Sequence, residues 1–377
     1  MHILVTNDFP PKIGGIQSYL WELWSRLDPN SFVVLTASSH DGAAKFDEEQ
    51  AARGIRIHRY PAKVLTPSVA LAREVNRLAV HYGANMVIVD PILPLGLLGR
   101  MLKVKYALVA HGAEVTVPAG LPVAANAMKY ILKRSEGVIC AGEYPAEIIS
   151  RLSKGVPLHQ IPPGVDTTRF QPLTAEMKSQ ARKKFGIGDD EEIVLSVSRL
   201  VPRKGMDVLI RAVAELNFPR LRVVIAGQGR DRGRLERIAR SGDAKVTFLG
   251  GVPDELLPDL YGMADVFAMI CRDRWMRMEQ EGFGIVFLEA AACGIPQVAG
   301  KSGGSNEAVE NHVTGFVVDR PKDVGSVARA LRRLLTDEQL ALNMGEQSRI
   351  RAEESFNYPA LAVALAEALN KITCKTV

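Results

Sequence analysis

The sequence predicts an α/β protein of two domains, each a mostly parallel sheet wrapped by helices. Three observations carry that expectation. Short runs of β-branched residues alternate with amphipathic segments along the whole length. The alternation falls into two sets separated by a break rich in proline and glycine. The chain has 377 residues, 47% of them hydrophobic, which is more than twice the roughly 150 residues of a common domain and enough to bury two cores.

The first set of strands is expected at 2–6, 32–36, 55–60, 86–90, 106–111 and 137–140. Between them, 16–27 and 69–81 repeat apolar residues at intervals of three and four, the spacing of a helix with one buried face. The break is Ile161-Pro162-Pro163-Gly164-Val165-Asp166, where two prolines and a glycine stop regular structure and a polar, Lys-rich helix follows. A second set of strands is expected at 193–198, 221–226, 246–249, 266–270, 297–299 and 315–319. Three helical stretches close the chain at 322–335, 337–353 and 359–372, more helix than one sheet edge needs, so the last is expected to cross back to the first domain. The domains are thus expected at 1–165 with 359–377, and at 166–358.

Forty-seven Lys and Arg against 42 Asp and Glu give a formal charge of +5, a mild excess that a nucleic acid, an anionic membrane or a phosphorylated small molecule would all tolerate. Cys140, Cys271, Cys293 and Cys374 form no C-x-x-C pair, so neither a disulfide framework nor a zinc site is expected, and a reducing cytoplasm fits. The histidines, His40 and His111 among them, show no metal-ligand spacing, so no metal is expected. The chain begins on a strand rather than a signal sequence, and its longest apolar stretches fall short of the roughly 20 residues that span a bilayer. Any membrane contact is therefore expected to be peripheral. Aromatics in the first helix (Tyr19, Trp21, Trp24) and Lys63 in the segment 62–69 suit a bilayer interface, though such aromatics serve a core equally well.

In parallel sheets ligands bind at the carboxyl ends of the strands, so the loops that follow strands carry the candidates. Gly14-Gly15 closes the loop after the first strand and opens a helix, where backbone N–H groups and the helix dipole favour an anion; a tight turn is the plainer reading. Gly227-Gln228-Gly229 lacks the third glycine of a dinucleotide fingerprint at the right spacing and reads as a structural turn. Arg199, Arg203 and Lys204 crowd a helix N-terminus, where the dipole disfavours cations, so an anion is the natural reason for them. Arg199 and Lys204 suit a diphosphate clamp, while Arg203 suits a solvated loop. Glu281 and Glu289 have seven residues between them, the first in a loop and the second inside an apolar helix, where a carboxylate is costly unless it meets a hydroxyl or a cation. His111, followed by Gly112, ends a strand and could meet a substrate.

Together these motifs resemble the retaining glycosyltransferases of family 4, with the GT-B fold of two facing Rossmann-like domains and a cleft between them. The likeness also draws on Pro163-Gly164-Val165-Asp166 before Phe170 and on Ser302-Gly303-Gly304 with Glu307. The stretches 6–19 and 198–205 are similar to the GDP-mannose-dependent phosphatidylinositol monomannoside mannosyltransferases, which add an α-1,6 mannose to a lipid-linked acceptor. That resemblance implies that Arg199 and Lys204 hold the donor diphosphate and that Gly14 and Gly15 meet its distal phosphate. It implies that Glu289 receives the ribose, Glu281 the sugar hydroxyls, and Phe283, Gly284 and Ile285 line the sugar and phosphate pocket. Val252, after Gly250-Gly251, would face the base edge, and His111 the anomeric side of the sugar. It further implies front-face attack without a covalent nucleophile and no cofactor, the nucleotide sugar being a substrate. Its partners would be a lipid-linked acceptor and an anionic membrane at the inner face of the plasma membrane, with no nucleic acid.

Two departures stand out. The bulky, basic stretch Arg272-Asp273-Arg274-Trp275-Met276-Arg277-Met278-Glu279-Gln280 precedes Glu281, and His111-Gly112-Ala113-Glu114-Val115-Thr116 lacks the second histidine of the proteins it resembles. They keep open a UDP-sugar donor or a polysaccharide or soluble acceptor; a nucleotide-sugar-binding protein without turnover and a nicotinamide oxidoreductase are the readings from other classes.

Overall fold

A computed structural model describes residues 1–38, 41–275 and 279–374. The chain divides into two units, Met1–Gly164 with Tyr358–Val377, and Val165–Asn357.

In the first unit the elements run β1 (His2–Thr6), α1 (Gly15–Trp24), β2 (Phe32–Ala37), α2 (Ala43–Ala51), β3 (Ile57–Tyr60), α3 (Val69–Tyr82), β4 (Met86–Asp90), β5 (Lys105–Ala110), α4 (Ala113–Ala119), α5 (Pro122–Leu132), β6 (Val138–Cys140), α6 (Glu143–Leu152) and β7 (Leu158–Gln160). The seven strands pair in parallel in the order β3-β2-β1-β4-β5-β6-β7. The second unit continues with α7 (Ala175–Lys184), β8 (Glu192–Val197), α8 (Met206–Leu216), β9 (Leu221–Ala226), α9 (Arg232–Arg240), β10 (Lys245–Gly250), α10 (Leu257–Gly262), β11 (Val266–Met269), α11 (Ile285–Ala292), β12 (Gln297–Gly300), α12 (Ser305–Ala308), β13 (Gly315–Val318), α13 (Val324–Thr336) and α14 (Glu338–Ser355). Its six strands, again parallel, lie in the order β10-β9-β8-β11-β12-β13. The last helix, α15 (Tyr358–Cys374), belongs to the first unit.

Both sheets carry helices on each face, which is why their strands are apolar almost without alternation. Ile3 and Val5 of β1 pack toward α3, and Leu4 between them packs the other way toward α1 and α15. Ile193 and Leu195 of β8 meet α10 and α11, while Val194 meets α8 and α13. In each sheet the strand order reverses beside the unit's first strand, at β1/β4 and at β8/β11. Such a switch point leaves a crevice at the carboxyl ends of the strands, where ligands of open α/β sheets bind.

The three-residue β7 escapes the sequence pattern, because Leu-His-Gln on a sheet edge shows neither a β-branched run nor a period of two. The interfacial reading of the first helix is corrected. Tyr19, Leu20, Leu23 and Trp24 are buried, because α15 covers the face of α1 that would otherwise meet solvent. Trp24 Nε1 donates to His2 Nε2 at 3.0 Å, the Tyr19 hydroxyl donates to Ile161 O at 2.9 Å, and the half-buried Trp21 packs edge-on against Phe9 and Phe46. In the segment 62–69, Lys63, Val64 and Val69 are exposed while Leu65 is buried.

Leu365 of α15 is fully buried in the core that this helix shares with α1 and the first sheet. Leu365→Ala should therefore lower stability by about 2–5 kcal/mol, measured as a fall in the urea midpoint of the first unit's transition.

Candidate functional site

In the second unit the loop after β8 carries Arg199 and then a short 3-10 turn, Pro202–Lys204, that leads into α8. Two close backbone approaches build it. A Cβ on Gly227 would lie 1.9 Å from Ser198 O, and one on Gly229 would lie 2.3 Å from Leu200 O, so glycine alone lets the loop after β9 lie against the Arg199 loop. The contact is sealed by Leu200 N–H donating to Gln228 O at 2.8 Å and Asp231 N–H donating to Leu200 O at 3.1 Å. The G-x-G of this loop is thus a packing device that holds Arg199 in place. Arg199 itself is exposed and makes no ion pair among the described residues.

Lys204 and Glu281 meet across the switch point, one from the loop after β8 and the other from the loop after β11. Lys204 Nζ lies 2.7 Å from Glu281 Oε2, and Arg203 binds the same oxygen. Both cations are mostly buried, which corrects the expectation that Arg203 is a solvated loop residue: the turn folds its guanidinium inward onto Glu281. The Cys271 thiol donates to the same carboxylate at 3.4 Å, and the Glu281 N–H donates to Ser302 Oγ at 3.2 Å. Burial alone would raise the Glu281 pKa, but the charges of Lys204 and Arg203 outweigh it and hold the group down at about 2. The same burial, reinforced by Glu281, pushes the Cys271 thiol far above its usual range, so that cysteine is a hydrogen-bond donor and not a nucleophile.

The stretch that departs from the family pattern is woven into this wall. Arg272 Nη2 pairs with Asp207 Oδ1 at 2.9 Å, and Asp273 Oδ1 accepts from Ser302 Oγ at 2.7 Å. Arg274 and Glu279 exchange backbone hydrogen bonds at 3.0 and 3.2 Å. Trp275 is 60% exposed, with the Arg274 guanidinium over its ring. Met276, Arg277 and Met278 lie outside the described residues.

Gly284, at φ +93°, turns the chain into α11, whose N-terminus has no side-chain cap. The backbone of Phe283, Gly284 and Ile285 therefore leads into a helix end with unfilled N–H donors, while the Phe283 ring is buried in the core. Glu289 is half-buried rather than enclosed in α11. Its Oε2 accepts from the Tyr261 hydroxyl at 2.5 Å, and burial raises its pKa against that bond. Val252 is half-buried after β10, beside the glycine that ends that strand.

In the first unit Gly14 precedes the uncapped N-terminus of α1 at Gly15. A Cβ on Gly14 would lie 2.3 Å from Gln17 Oε1, and Gln17 and Lys12 both donate to Asp8 Oδ1, so the loop after β1 is folded tightly upon itself. His111 follows β5 with its backbone N–H bound to Glu114 and its ring against Tyr19. Its Nε2 lies 2.8 Å from Asp90 Oδ1.

The structure thus joins Lys204 with Glu281 inside one unit and places Arg199 on the same loop as Lys204, while Gly14, Gly15 and His111 sit in the other unit. Sequence reasoning missed Asp90, Tyr261, Ser302 as a bridge, and Arg203 as a partner of Glu281. Asp90 stood at the end of a recognised strand and was the one signal available. Among the described residues no cluster of three or more metal-ligating side chains occurs. No described helix is long and apolar enough to cross a membrane.

Two doubly wound parallel sheets with charged loops at the switch points have the domain build of the GT-B glycosyltransferases. A model for Glycosyltransferase Family 4 matches residues 13–169, and one for Glycosyl transferases group 1 matches residues 177–351. The chain is 39% identical over 98% of both lengths to the GDP-mannose-dependent alpha-(1-6)-phosphatidylinositol monomannoside mannosyltransferase of Mycolicibacterium smegmatis. It is 33% identical over 97% of both lengths to the GDP-mannose-dependent monoacylated alpha-(1-6)-phosphatidylinositol monomannoside mannosyltransferase of Corynebacterium glutamicum. Its fold matches HepE of Anabaena, solved in complex with UDP, at a TM-score of 0.81 over 98% of this chain and 100% of that one, with 21% identity. The chain belongs to glycosyltransferase family 4.

Glu281→Gln should leave two buried cations without a counter-charge and cost about 3–5 kcal/mol at neutral pH. The sign with pH is fixed by the depressed pKa. The contribution of Glu281 is complete above the ordinary carboxylate range and lost as pH falls toward about 2, so the variant should lack that part of the acid dependence in denaturation curves.

Proposed function

We propose that the chain transfers mannose from GDP-mannose to a phosphatidylinositol monomannoside, forming an α-1,6 linkage with retention. The observation that carries this reading is the end-to-end likeness to a mannosyltransferase of that name, at 39% identity over 98% of both lengths. The geometry supports a role for each group. Arg199, exposed and without an ion pair among the described residues, offers a guanidinium to the donor diphosphate. Lys204, seated against Glu281, is fixed in place before the donor arrives, so little ordering is needed when negative charge grows on the leaving group. The open N-terminus of α11 adds backbone N–H donors beside the sugar. Glu289, oriented by Tyr261, accepts from the ribose, and Val252 borders the base. In the first unit the α1 N-terminus at Gly15 meets the distal phosphate, and His111 the sugar. The nucleotide sugar is a substrate, and these residues need no cofactor.

A lipid-linked acceptor calls for contact with a membrane surface, and the exposed face of α5 is the place with the matching chemistry. Leu121 and Val123 are exposed at its start, and Lys129, Lys133 and Arg134 are exposed in its last turn and just beyond it. The Arg134 guanidinium covers the Tyr130 ring at 3.8 Å. No acidic residue occurs between Glu114 and Glu136. Apolar side chains flanked by cations suit a peripheral seat on anionic lipid.

Labelled GDP-mannose with phosphatidylinositol monomannoside should yield the dimannoside, and Arg199→Ala and Lys204→Ala should each lower turnover at least about a hundredfold. Transfer to no lipid acceptor by a folded preparation would remove the acceptor; wild-type rates in either variant would remove the clamp. GDP should raise the Tm more than UDP or ADP does. In flotation, vesicles with anionic lipid should carry the protein and neutral ones should not. The Lys129→Glu, Lys133→Glu, Arg134→Glu triple variant should stay at the bottom of the gradient; equal flotation of both proteins would place the contact elsewhere.

A further inference from the structure

Three strand ends lie side by side at the switch point of the first sheet. β1 ends at Thr6 and β4 at Asp90, and these two are partners in register. β5 ends one residue before His111. Asp90 has no exposed surface, yet both its oxygens are occupied. Thr6 Oγ1 donates to Oδ2 at 2.6 Å, and His111 Nε2 lies 2.8 Å from Oδ1. A carboxylate buried in this way is costly unless it serves a partner, and an apolar residue would fill the same place at lower cost. The partner it serves is the ring at the strand's carboxyl end, where ligands of such sheets bind.

We propose that Asp90, fixed by Thr6, is a positioning residue for His111: its carboxylate holds Nε2–H and favours the doubly protonated ring, whose Nδ1–H then donates to an oxygen of the bound nucleotide sugar. The proposal rests on the reading of His111 as a substrate contact. The surroundings agree with a charged ring. Burial disfavours it, but Asp90 from β4, Glu114 from α4 and Asp8 from the loop after β1 together outweigh burial and raise the His111 pKa. Tyr19 from α1 packs against the ring at a right angle, and Asp8 is itself paired with Lys12 at 2.6 Å. With the pKa raised, the donor form survives to higher pH and is lost as pH rises through the folded value. Removing the Asp90 carboxylate should move that loss to lower pH.

The test is the pH dependence of kcat for mannosyl transfer by the full chain. Asp90→Asn should shift the alkaline limb down by at least about one pH unit, making the variant roughly tenfold slower at the alkaline end and near wild type at the acid end. Thr6→Val should shift it in the same direction by less, and His111→Gln should lack the limb. GDP-induced stabilisation equal to wild type reports that each variant is folded. An unmoved limb in Asp90→Asn, with His111→Gln inactive or without the limb, overturns the proposal. A wild-type rate and limb in His111→Gln overturns instead the reading of His111. Should Asp90→Asn not fold, Thr6→Val decides: a limb moved to lower pH supports the proposal, and an unmoved one overturns it.

Discussion

One carboxylate organises the second unit. Glu281 is buried at the switch point, and its charge is tolerable there only because Lys204 and Arg203 reach it from the loop across the sheet. That requirement fixes both loops. Gly205 must take φ +70° with its backbone against Ile270 O, since a Cβ would lie 1.9 Å from that oxygen, and the turn then swings Lys204 inward. Ser302 ties the Glu281 N–H to Asp273, and Gly303 and Gly304 lie against the backbone of Glu281 and Gly282. Lys204 is therefore positioned by a network of the protein's own groups.

The first unit reaches a similar end by other means. Its switch point also joins a buried acid to a basic partner, Asp90 to His111, but the partner is an imidazole and the brace is a threonine hydroxyl. Each half of the chain thus holds basic side chains at the mouth of its sheet against a buried carboxylate. A site built in this way loses little entropy when a polar substrate binds, because its donors are already held.

Most of the architecture was legible because buried parallel strands are long apolar runs and their helices are periodic. β1, β4 and β9 begin and end where those runs do. The edge strand β7 was not, since three mixed residues carry no pattern. For the candidate site, residue type and position, after a strand or inside an apolar helix, were the grounds for naming Arg199, Lys204, Glu281, Glu289 and His111. What they touch was hidden. Arg203 and Lys204 are neighbours in sequence with equal charge, and only the 3-10 turn reveals that both point at Glu281. Tyr261 and Glu289 are 28 residues apart on different helices, and no local spacing announces such a pair. The aromatic first helix misled for a related reason: the helix that covers it is the last in the chain.

That return has a consequence for how the protein is made. A ribosome releases the first unit's seven strands long before the helix that covers one face of their sheet, since 193 residues of the second unit, Val165–Asn357, come between. During that interval Leu4, Ile88 and Val109 on that face, together with Tyr19 and Leu20 of α1, await their last covering element. The nascent first unit is then a sheet with an unfinished apolar side, the kind of surface that chaperones bind and that aggregates when synthesis stalls. A chain cut short just before residue 358 would keep every described strand and every candidate site residue and still lack the element that closes its first core.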